Sequence, residues 1–220
     1  MEIAIAEKLM PDNPLIYNNK GILYMRTRDF AKAREAFLKS NELEPRARTM
    51  GNLGSVYYLE ERYLEAADIL KKAAELEPKS YLPRANLAAA LDRTASTKAE
   101  AKVAYQKAIE LAKPLLEATP NDERIIGNVA SYHAVLGNRE QATALIRRAL
   151  ALQPDSPGVA QRAIAVYEFL KDRELALEWA AKALKNGYPL ETLKSDPELA
   201  GLVADPRFKK LEEREKERRK

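Results

Sequence analysis

Asn19, Asn52, Asn86 and Asn128 recur at intervals of 33, 34 and 42 residues, and Arg162 follows 34 residues after the last. A carboxamide carries both donors and an acceptor, so a row of them grips a peptide backbone without reading its side chains. Arg26, Arg48, Arg93 and Arg124 occupy two further recurring offsets. A guanidinium fork matches a carboxylate. If the intervals bring these nine residues to one face, the chemistry is recognition of an extended segment that is acidic or ends in a free C-terminus.

Catalytic chemistry has little to draw on. His133 is the only histidine and there is no cysteine. A nucleophile–base constellation therefore has one candidate base. A zinc site lacks the nitrogen and sulfur ligands it needs. The Gly51–Gly54 stretch has no Lys-Ser/Thr of a phosphate loop. The chain is expected to have no catalytic residue, no metal and no cofactor, and His133 is expected to be a packed core histidine.

The elements that must position the asparagines are legible as a repeat. Gly21 and Pro45 are separated by 23 residues, and so are Gly54 and Pro78. Between them Tyr24, Ala33 and Phe37 are echoed by Tyr57, Ala66 and Leu70. A period near 34 residues with small and large apolar residues at fixed offsets predicts stacked helical hairpins. Small residues let the two helices of a hairpin approach, large ones fill the space between, and Pro ends the second helix. Further copies carry Leu87, Ala88 and Leu91, then Ile126, Ala130, Ala142 and Ile146, then Ala163, Tyr167, Ala176 and Ala180. All four asparagines fall on the sixth place of the first helix of their repeats, where Arg162 stands in the fifth copy. Arg48 and Arg124 take the second place, Arg26 and Arg93 the thirteenth.

The pattern of a small eighth residue, Ala at the twentieth, a large residue at the twenty-fourth and Pro at the thirty-second resembles the tetratricopeptide repeat (TPR). The resemblance implies an all-α, right-handed superhelix of antiparallel hairpins whose first helices line a concave, peptide-binding side. The family's clamp for chaperone C-termini wants Lys and Asn at the fifth and ninth places of one repeat. Here Asn18/Ile22, Gly51/Ser55 and Ala85/Ala89 stand there, so the chain departs from that clamp. From about Ala47 to Leu211 the chain also resembles the C-terminal TPR regions of bacterial signalling proteins built on serine/threonine kinase, nucleotide-cyclase or winged-helix domains. That likeness implies docking.

The expected organisation is a half-repeat helix at 1–12, five TPR-like repeats over 13–188, and capping helices with a charged tail at 189–220. Ile3, Ala6 and Pro11 match Phe37, Ser40 and Pro45, which predicts that the chain begins inside a longer array. The third repeat is expected to have an extended second helix interrupted at Pro114. Asn186-Gly187 predicts a left-handed helix stop. Ser195-Asp196-Pro197 and Asp205-Pro206 predict helix starts, with Leu199, Leu202, Val203, Phe208 and Leu211 covering the last repeat. The tail beyond Leu211 is expected to fray.

The net charge of +4 does not signal nucleic acid, because +3 of it lies in Lys209–Lys220 and the remainder alternates in sign along the helices. No apolar run reaches the roughly 18 residues of a membrane span, and the N-terminus has no secretory pattern. The expected role is a cytoplasmic protein–protein interaction scaffold. The alternative is self-assembly, or docking within a larger signalling protein, through an end or the convex side. Homo-oligomerisation through Ile3–Met10 is one form of that alternative.

Overall fold

The computed structural model describes residues 7–218; the expectation for residues 1–6 lies outside them. Residues 7–9 are helical, and Glu7 pairs with Lys20 at 2.8 Å. No strand occurs among the described residues. The chain divides into two compact units between Leu111 and Ala112.

In the first unit, helices α1 (Pro14–Arg26) and α2 (Phe30–Leu43) form one hairpin, and α3 (Ala47–Leu59) and α4 (Tyr63–Leu76) form the next. Helix α5 (Tyr81–Asp92) follows, then a 3-10 turn over Ala95–Thr97 and the start of α6 (Lys98–Ala118). Pro14 opens α1 behind Asn13, whose Oδ1 accepts the Leu15 N–H at 3.0 Å. The repeat register rests on two close approaches. A Cβ on Gly21 would stand 2.5 Å from the Phe37 ring, and one on Gly54 would stand 2.5 Å from Leu70. The eighth place is thus small because the twenty-fourth is large and buried: Phe37 is 0% exposed and Leu70 2%. Within the first repeat the Ser40 hydroxyl donates to the Pro14 carbonyl at 2.8 Å, and between repeats Arg34 pairs with Glu60.

The turns inside the hairpins share one conformation that the sequence hides. Arg28, Glu61, Gly137 and Lys171 have φ of 61°, 59°, 78° and 60°, all at the fifteenth place of their repeats. Only one is glycine. The other three hold a left-handed backbone that costs a side-chain-bearing residue about 1–2 kcal/mol. Repetition of the turn shows that hairpin packing overrides local preference. The third repeat, with its 3-10 turn, lacks it. Its second helix runs 21 residues, with Pro114 inside at the cost of one backbone hydrogen bond.

In the second unit, α7 (Glu123–Val135) pairs with α8 (Arg139–Leu152), and α9 (Pro157–Phe169) with α10 (Arg173–Lys185). Gly187, at φ 87°, stops α10. The cap is larger than two short helices: α11 (Leu190–Lys194), a 3-10 turn at Pro197–Leu199, α12 (Ala200–Val203) and α13 (Pro206–Arg218). The Asp196 and Asp205 carboxylates accept the Glu198 and Arg207 N–H groups at 3.0 and 2.9 Å. Leu199, Leu202 and Phe208 are 0% exposed and join the core with Val203, Leu211 and Trp179. The tail does not fray before Arg218. That residue donates to the Lys185 and Leu184 carbonyls at 3.0 Å each and pairs with buried Glu215, closing the C-terminal end of α10.

Candidate functional site

Helices α1, α3 and α5 are the first helices of three successive repeats, and two adjoining grooves run between them. The first, of about 460 Å³, is lined by Leu15, Asn18, Asn19 and Ile22 of α1 and by Arg46–Thr49. The second, of about 400 Å³, is lined by Arg48, Gly51, Asn52 and Ser55 of α3 and by Leu82, Pro83 and Asn86 of α5. Second, fifth, sixth and ninth places of a helix lie on one face because successive offsets of three and four return to the same side. The sixth-place row therefore brings Asn19, Asn52 and Asn86 to this surface.

The row has an anchor beneath it. Asn18 is buried, 6% exposed. Its Oδ1 accepts the Asn52 carboxamide N–H at 3.1 Å and the Thr49 hydroxyl at 3.4 Å. With its nitrogen held inward, Asn52 has its carbonyl oxygen left to accept a ligand N–H. Asn86 and Asn19 are exposed, and no hydrogen bond engages them among the described residues.

Among the arginines, Arg48 alone of those singled out lines the grooves, and it lines both. It is exposed and no ion pair engages it among the described residues. Arg93 lies instead over the Tyr63 ring at 5.2 Å. Arg26 is exposed on α1 but borders neither groove. Two other expected site arginines belong to the second unit. There Arg124 pairs with Asp122 at 3.1 Å. The Arg162 Nε donates to the Asn128 Oδ1 at 2.7 Å and its Nη1 to the Gly158 carbonyl at 2.9 Å. Arg162 also passes over Gly127, where a Cβ would stand 2.6 Å from its Cδ. Of the expected site arginines in the first unit, Arg48 therefore borders the grooves, and Glu77 borders both beside it.

Sequence reasoning missed Leu15 and Leu82. They stand at the second place of repeats one and three, 48% and 46% exposed, flanking Arg48 at the second place of repeat two. The signal lies in the repeat register, where leucine alternates with arginine along that row.

His133 is half-buried, with its Nδ1 3.2 Å from the Asn138 carboxamide nitrogen. Burial, and secondarily the Lys113 ammonium, push its pKa below the ordinary imidazole value. No cluster of three or more potential metal ligands occurs among the described residues.

This arrangement of hairpins and groove-facing rows defines the class. Residues 14–47 and 47–80 each match a tetratricopeptide-repeat family model, and the fold class is that of a TPR solenoid. Solved structures agree across most of the chain. TTC0263, a thermophilic TPR protein of Thermus thermophilus, is 18% identical with a TM-score of 0.64, over 86% of this chain and 98% of that one. A tetratricopeptide repeat protein from Parabacteroides merdae is 19% identical with a TM-score of 0.62, over 92% of this chain and 75% of that one. YrrB, described as a TPR protein with an unusual peptide-binding site, is 21% identical with a TM-score of 0.50, over 87% of this chain and 95% of that one. No curated protein matches the chain. No described helix is long and apolar enough to cross a membrane.

Proposed function

We propose that this protein is an interaction scaffold that holds an extended peptide along α1, α3 and α5. The observation that carries the reading is the row of Asn19, Asn52 and Asn86 beside an Arg48 that has no partner among the described residues. The carboxamides take the ligand backbone and Arg48 takes a carboxylate, from an acidic side chain or a free C-terminus. Asn128 and Arg162 offer a comparable pair in the second unit, already bonded to each other. The role is binding alone, in the cytoplasm, without catalysis, metal or cofactor.

Asn86→Ala is the clean test, because Asn52→Ala would also leave the buried Asn18 oxygen short of a donor. Affinity capture from the native host should lose its partner with Asn86→Ala, by about tenfold in affinity for one or two lost hydrogen bonds, while the melting temperature stays within a degree or two. Unchanged capture would place the partner elsewhere on the molecule.

A second reading is docking or self-assembly through the N-terminal end or the convex surface, the role implied by the likeness to bacterial signalling proteins. It is favoured by Leu9, Met10 and Leu23, which are 74%, 49% and 48% exposed. Sedimentation of the chain with Leu9→Glu and Leu23→Glu separates the two. A fall in mass relative to the parent supports assembly, and a monomer in both cases removes it.

A further inference from the structure

Among the described residues, three charged side chains line the grooves of the first unit: Arg46, Arg48 and Glu77. Arg46 borders the first groove only, and its guanidinium pairs with the Glu44 carboxylate at 2.7 Å. Arg48 and Glu77 each border both grooves. Both are exposed, and no ion pair or side-chain hydrogen bond engages either among the described residues. The rest of the lining is uncharged. A ligand in either groove therefore meets one guanidinium and one carboxylate that no neighbour neutralises.

One repeat holds both charges. Arg48 stands in the first turn of α3, and Glu77 directly follows Leu76, the last residue of α4. Asn52 lies one turn beyond Arg48 on α3, on the same face. The sixth-place carboxamides bond to a ligand backbone whatever its sequence, so the two charges are where the grooves discriminate between sequences. A wholly acidic segment that reaches Arg48 also brings carboxylates towards Glu77. A wholly basic one that reaches Glu77 brings cations towards Arg48. Like charges set side by side oppose association, and a charge covered without a partner loses its hydration with nothing in return. A segment that carries both signs satisfies both groups.

Resting on the groove reading above, we propose that the ligand of the first unit is a mixed-charge segment, with an acidic side chain paired to Arg48, a basic side chain paired to Glu77 and its main chain on the carboxamide row. The carboxylate at Arg48 then comes from an acidic residue within the segment, not from a chain terminus. Glu77 excludes runs of acid. It also gives the bound segment a direction, because its acid and its base cannot change places.

The test is selection of a displayed random peptide library on the whole chain, followed by fluorescence anisotropy of the selected sequences synthesised with both ends blocked. Groove-dependent peptides are those that bind Asn86→Ala more weakly than the parent. They should contain an acidic and a basic residue. Replacing either by Ala should weaken binding about three- to tenfold, the loss of one charge-assisted pair at a partly exposed site. In Arg48→Gln the replacement of the acid should no longer matter, and in Glu77→Gln that of the base. The double variant Arg48→Glu, Glu77→Arg should prefer, by a similar factor, the peptide whose acid and base are exchanged. Both residues are exposed, so each variant should melt within a degree or two of the parent. The inference is overturned if the groove-dependent peptides are acidic without a base, or if they bind only with a free C-terminus. It is also overturned if Glu77→Gln tightens acidic peptides while the base has no effect, since Glu77 would then serve only as a partner for Arg48. Each of these results leaves the groove reading standing, because the peptides still respond to Asn86. If no selected peptide responds to Asn86→Ala, both fall.

Discussion

Phe37→Ala should destabilise the first unit by about 3–5 kcal/mol, the cost of removing a fully buried ring. The ring is 0% exposed and lies against Gly21, with Ala33, Leu53 and Val56 in the same cluster. The informative experiment pairs it with Gly21→Ala. Alone, that change puts a Cβ 2.5 Å from a ring carbon, and overpacking of this kind costs about 1–3 kcal/mol. In the Phe37→Ala background the added methyl enters the vacated space and gains the helix preference of Ala over Gly, about 1 kcal/mol. The same substitution should therefore change sign between the two backgrounds. Urea melts of the four proteins, followed by circular dichroism, give the coupling energy. Additive effects would mean that the eighth and twenty-fourth places do not meet, and the repeat register would be wrong.

Arg173→Met should be about as damaging to the second unit, also about 3–5 kcal/mol. Glu168 is 9% exposed, and its Oε1 pairs with the Arg173 Nη2 at 2.6 Å. Its second oxygen is buried without a hydrogen-bond partner. Removing the guanidinium leaves a buried charge uncompensated, a larger loss than the pair's net contribution. Arg173 also donates to the Gly201 carbonyl and lies 3.9 Å from Asp205, so it ties the last hairpin to the cap. Glu168→Gln should recover much of the loss in the Arg173→Met background. Trp179, the single tryptophan, packs on this core and reports its unfolding by fluorescence. A double variant no more stable than Arg173→Met would show that lost packing, not a stranded carboxylate, carries the effect.

Both experiments probe contacts that the repeat pattern specifies to different degrees. The Gly21–Phe37 approach is readable from the chain because it recurs as Gly54–Leu70 in the same register. The Glu168–Arg173 pair is not, because it depends on a cap that belongs to no repeat. The same division runs through the site. The sixth-place asparagines emerge by counting, since positions on one helix share a face whenever their offsets match 3.6 residues per turn. The fate of the arginines cannot be counted. A guanidinium on a long flexible stem takes whichever partner lies within reach. Arg93 finds a tyrosine ring, Arg124 an aspartate and Arg162 an asparagine of the preceding repeat.

The amino-acid sequence by itself determined the all-helical hairpins, their register, the small-against-large contacts and the carboxamide row, because each is a periodicity carried within one or two helices. The tertiary structure alone decided the left-handed turns at Arg28, Glu61 and Lys171, the burial of Asn18 beneath Asn52, and the isolation of Arg48 between Leu15 and Leu82. Those features arise where side chains some thirty residues apart compete for the same space and the same hydrogen-bond partners.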